Sequence, residues 1–233
     1  MKLIRILLAA GASLAAFSTL RATDASERSW QWVSHYYENP RPADLMPNVY
    51  ELSRSGYFET VGQPAVSIGF FSAIFAENPQ NVNYWLNESR NLPDSHRRIL
   101  VAAAWKAGHP TGARMLREMS AGDDAALRAE IRGLLAAGTA PIENTPVLST
   151  ASMNLQWGAF LATGNEQNIV NVLAALGSNQ AGLASSARFT LAQNAAAHPR
   201  VLEICREQLS RQPAGVRAEL RAAINEASSK PGA

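Results

Sequence analysis

Apolar residues recur at helical spacing along nearly the whole chain. Trp30, Val33 and Tyr37 fall at i, i+3 and i+7, and Leu127, Ile131, Leu134 and Leu135 mark one face of a later segment. Val216, Leu220, Ala223 and Ala227 carry a last helix, opened by Pro213. Period-two alternation is not found over any useful length. The best strand candidate, 65–76, holds Val66, Ile68, Phe70, Phe71, Ile74 and Phe75. Its apolar residues are too continuous for a half-exposed strand, and its length favours a buried helix.

Punctuation is regular. Asn39-Pro40, Asn78-Pro79, His109-Pro110 and His198-Pro199 read as helix ends followed by a proline suited to the next first turn. Gly56, Gly108, Gly138, Gly164 and Gly177 mark further stops. The pattern predicts about eleven short helices joined by tight turns, an all-α chain of stacked antiparallel helices. Internal similarity adds to this. The stretch SAIFAENPQNVNYWL (72–86) is similar to GAFLATGNEQNIVNVL (158–173), and His109-Pro110 and Arg117-Glu118 fall on His198-Pro199 and Arg206-Glu207. The expected organisation is one α-solenoid-like domain over 24–227. It holds two tandem four-helix units, about 65–121 and 151–212, with flanking helices and a Pro-containing connector over 139–150. A polar tail over 228–233 is expected to be disordered.

The paired amphipathic helices and the run ASSARFTLAQNAAAHPRVLEICREQL (184–209) resemble helical-repeat proteins of the HEAT and tetratricopeptide kind. The likeness is to the architecture, since the tetratricopeptide consensus is absent at its usual period. The WQWVSHYYENPRP opening and the LATGN turn resemble an uncharacterised group of exported bacterial proteins. That resemblance implies no particular activity.

Charge changes the picture once the first residues are read. Lys2 and Arg5 precede an apolar run from Ile6 to Phe17, and polarity returns by Ser18. This is the pattern of a secretory signal peptide over 1–22, and the run is too short to span a bilayer. Removing Lys2, Arg5 and Arg21 from the 21 basic residues leaves 18 against 19 acidic ones, a net of −1. The basic character therefore belongs to the precursor, and nucleic-acid binding loses its support. With no lipidation cysteine after the apolar run, the expected product is soluble, without a membrane segment, and periplasmic or secreted.

Candidate chemistry is sparse. Cys205, the lone cysteine, lies on an apolar helical face with Val201, Leu202 and Leu209 and reads as a buried thiol. His35, His96, His109 and His198 form no HExxH-like pattern, so no metal or cofactor is expected. His109 and His198 read as helix C-termini meeting free carbonyls. Asp94 reads as a helix cap. No nucleophile elbow or phosphate-cradling loop is present, so no catalytic residue is assigned. Trp30, Trp32, Tyr36 and Tyr37 form a dense aromatic cluster on two helix faces, the candidate surface for a partner. The sequence thus points to a non-enzymatic protein- or peptide-binding or scaffold component of the bacterial cell envelope. The alternative is a hydrolase whose residues converge only in three dimensions.

Overall fold

The computed structural model describes residues 27–122, 124–138 and 141–229. The signal-peptide reading of 1–22, the start of the connector and the end of the tail lie outside them. Among the described residues the chain is entirely helical and turn, with no strand. Helix α1 covers 27–34. A 3-10 turn, Tyr36–Glu38, leads to α2 (Leu45–Arg54) and a further turn, Tyr57–Glu59. Next come α3 (Gln63–Glu77), α4 (Val82–Glu88), α5 (Asp94–Lys106), α6 (Pro110–Met119) and α7 (Ala125–Ala137). After the connector follow α8 (Thr150–Thr163), α9 (Glu166–Ala174), α10 (Ala181–Ala197), α11 (Pro199–Gln208) and α12 (Ala214–Ser228).

Local chemistry explains most of these boundaries. Pro110 and Pro199 open α6 and α11 at the position where a missing N–H costs nothing. Asp124 caps α7 by accepting from Leu127 N at 3.0 Å. Ser149 and Ser152 cap α8 reciprocally. Gly164, at φ 68°, ends α8 in the left-handed conformation that a side chain would resist. Asp94 does not cap as the sequence suggested. It follows Pro93 as the first residue of α5 and makes no capping hydrogen bond, so only its charge serves the helix end. The last helix runs through Ser228, the residue at which the sequence placed the start of the tail.

The order of elements recurs. Helices α3–α6 are followed by α7, and α8–α11 by α12, and in both runs a 3-10 turn joins the second helix to the third. The outer helix is tied to the third helix of its run by similar ion pairs. Arg98 on α5 meets Glu130 on α7 at 3.4 Å, and Arg188 on α10 meets Glu226 on α12 at 3.6 Å.

The two runs meet along α3 and α8, which are buried on nearly every side, as a helix apolar all round must be. Asn154 near the start of α8 donates to the Gly62 carbonyl just before α3 at 3.4 Å. The C-terminal halves of both helices line one cavity. The pair therefore runs side by side in the same direction. Gly69 and Gly158 sit at the crossing. A Cβ at Gly69 would overlap the Leu155 backbone, and one at Gly158 the Val66 carbonyl. The connector is pinned on this seam by the Gln156 amide, which donates to the carbonyls of Ile142 at 2.8 Å and Thr145 at 2.7 Å. One continuous apolar core extends from Val33 to Ala227. Among the described residues no helix is long and apolar enough to cross a membrane.

Candidate functional site

Three turns that are distant in sequence come together beside α8. The first is Tyr36–Glu38, after α1; the second is the Gly164 turn; the third is His198, between α10 and α11. Tyr37 joins them. Its ring lies 5.3 Å from that of Phe160 and 6.0 Å from that of His198. Gly164 makes room for it, because a Cβ there would stand 3.1 Å from the Tyr37 ring. The Tyr37 hydroxyl is 3.5 Å from His198 Nδ1. On the outer side, the rings of His35 and His198 are 5.4 Å apart. His35 Nδ1 is 2.9 Å from Glu38 Oε1. One ligating atom from each of His35, Glu38 and His198 lies within 4.8 Å of the other two.

The electrostatics follow from unequal burial. His198 is only 2% exposed, whereas His35 and Glu38 face solvent. Burial pulls the His198 imidazole below the usual histidine range, and the neighbouring His35 pulls in the same direction, against Glu38. The hydrogen bond from His35 holds the Glu38 carboxyl below the usual carboxylate range. Burial, with Glu38 nearby, pushes the Tyr37 phenol up to about 12.

The four aromatic candidates are not brought into one patch. Trp30 is half-buried and stacks on Tyr57 at 6.5 Å. Tyr37 belongs to the histidine cluster. Tyr36 is buried edge-on against Phe70 at 5.2 Å, and burial pushes its phenol up to about 12. Trp32, half-buried, meets both Tyr36 and Phe70 edge-on at 5.4 Å. Trp32 and Tyr36 line a groove of about 270 Å³ with His35, Arg41, Asp44 and Asn48. A second hollow of about 230 Å³, bordered by Arg28 and Glu51, shares Trp32 and Asn48 with it. Trp32 is therefore the shared wall of a shallow trough with a mixed polar rim.

The remaining candidates have structural partners. His96 is buried, with Ser53 Oγ 2.8 Å from Nδ1 and Glu59 Oε1 2.6 Å from Nε2. His109 serves the helix after it rather than the one before it. Its Nδ1 accepts from Thr111 N at 3.2 Å and caps α6. His198 ends α10 and precedes α11, and its ring turns toward Tyr37 instead of capping either helix. Cys205 is 1% exposed, and burial pushes its thiol up to about 12, which makes it a poor nucleophile. A cavity of about 220 Å³ between the two runs is lined by Ser72, Glu77, Lys106, Thr163 and Asn168 among others. Partial burial raises the Glu77 carboxyl there.

The sequence contained two of the three members of the histidine cluster in plain view, since His35 and Glu38 are three residues apart. It held no sign of the partner, because His198 reaches the pair only through folding. Comparison with protein-family models, with curated proteins and with solved structures finds no match.

Proposed function

We propose that the chain is an exported, soluble, non-enzymatic binding or scaffold protein of the bacterial cell envelope. In this reading it is a helical-repeat protein that engages a protein or peptide partner through the trough around Trp32. One observation carries the reading: a large aromatic ring is left partly exposed where it lines two hollows whose rims hold polar and charged side chains. An apolar side chain of a partner gains most by covering such a ring, while Asn48, Arg41 and Asp44 supply hydrogen bonds to its backbone or flanks. Stacked helices provide the rigid support for a surface of this kind. Export rests on the basic start and short apolar run over 1–22.

The test is capture of partners from an envelope fraction by the wild-type protein, Trp32→Ala and Asn48→Arg, with circular dichroism verifying the fold of each. Asn48 is half-buried on the rim of the trough, so an arginine in its place fills the trough, and the circular dichroism control reads any effect on the fold. Partners held by the wild type are expected to be lost at least tenfold from both variants. Equal capture by all three proteins would remove the trough from the function.

A further inference from the structure

We propose that His35, Glu38 and His198 form a binding site for a divalent transition-metal ion of the zinc type. Two imidazoles and one carboxylate are a common donor set for such ions, and they suit zinc, copper, nickel or cobalt better than calcium or magnesium. Around a tetrahedral zinc with bonds of about 2.0–2.2 Å, ligating atoms lie roughly 3.3–3.6 Å apart. Here the three lie within 4.8 Å of one another, so the adjustment required is small. It falls on the more accessible side chains, because His35 and Glu38 are 44% and 50% exposed. His198 is the fixed member, held by burial and by the contact of Nδ1 with the Tyr37 hydroxyl. An ion seated here takes the place of the hydrogen shared by His35 Nδ1 and Glu38 Oε1, and solvent completes its coordination.

The site is independent of the trough reading, although His35 also borders the trough. It joins the end of α1 to the α10–α11 turn, residues that lie 163 positions apart (198 − 35). A bound ion would therefore clamp the N-terminal segment to the second helical run.

The experiment titrates zinc ion alone into untagged full-length chain, in competition with a chromogenic chelator, and follows melting temperature with and without zinc. Wild type is expected to bind one equivalent and to melt higher when saturated. His35→Ala and Glu38→Gln change only exposed groups, and each is expected to weaken binding at least tenfold and abolish the melting shift. His109→Ala, which leaves the cluster intact, is expected to bind as wild type does. The proposal is overturned if wild type takes up no stoichiometric zinc at micromolar free ion. It is equally overturned if His35→Ala and Glu38→Gln bind unchanged, or if His109→Ala alone loses binding.

Discussion

At the scale of single residues, the arrangement most open to a catalytic reading is Ser53, His96 and Glu59. A hydroxyl, an imidazole and a carboxylate stand in line with contacts of 2.8 and 2.6 Å. A working triad exposes the hydroxyl to substrate and buries the carboxylate behind the ring. Here the carboxylate is the exposed member, since the Glu59 side chain is 59% exposed and His96 is only 6% exposed. The ring thus ties α5 to α2 and to the Tyr57–Glu59 turn, and Glu59 seals its outer edge. A serine-directed fluorophosphonate is expected to leave Ser53 unlabelled, as read by intact mass. His96→Asn is expected to cost about 1–3 kcal/mol in chemical denaturation, because it removes a buried ring together with its two hydrogen bonds. Stoichiometric labelling of Ser53 that disappears in His96→Asn would instead establish the enzyme reading.

At the scale of elements, spacing and punctuation carried much of the fold. The apolar run 65–76 lies inside α3, and Pro110 and Pro199 start helices where a fixed φ and a missing N–H suit a first turn. Helices α3–α6 cover 63–119 and α8–α11 cover 150–208. What spacing could not convey was which helices would touch. Gly69 and Gly158 look like weak points in their helices until α3 and α8 are seen to cross there. The same blindness hid the histidine cluster and divided the aromatic set, because both depend on how the segment 27–38 lies against α3, α8 and α10. A paired substitution separates propensity from packing. Gly158→Ala places a methyl against backbone of α3 and is expected to destabilise by about 3 kcal/mol, the upper part of the overpacking range. Gly133→Ala, on the exposed face of α7 with nothing near its Cβ, is expected to stabilise by about 0.5–1 kcal/mol. Both are read from the denaturation midpoint at constant slope. A loss at Gly133, or no loss at Gly158, would contradict the packing assigned to these helices.

At the scale of the molecule, the issue is whether two similar helical runs behave as two bodies or one. Two helical runs packed side by side are held together by their interface, so a weak seam lets one open without the other. The seam here is backbone against backbone at Gly69 and Gly158 and is reinforced by Gln156, which fastens the connector across it. The core is continuous through it, with Phe70, Phe71 and Phe75 on one side and Trp157 and Phe160 on the other, all nearly inaccessible. Opening α8–α12 alone would expose the buried faces of α3 as well, and each buried aromatic or aliphatic side chain returned to water costs about 1.5–3 kcal/mol. That penalty falls on opening one run alone, because the other run is left with an uncovered apolar face. Unfolding is therefore expected to be a single transition. Amide exchange read by mass spectrometry across a urea series should show α5 and α10 losing protection at one shared midpoint, with Gly158→Ala shifting both downward together. Loss of protection in α10 well before α5 would mean that the seam does not couple the runs.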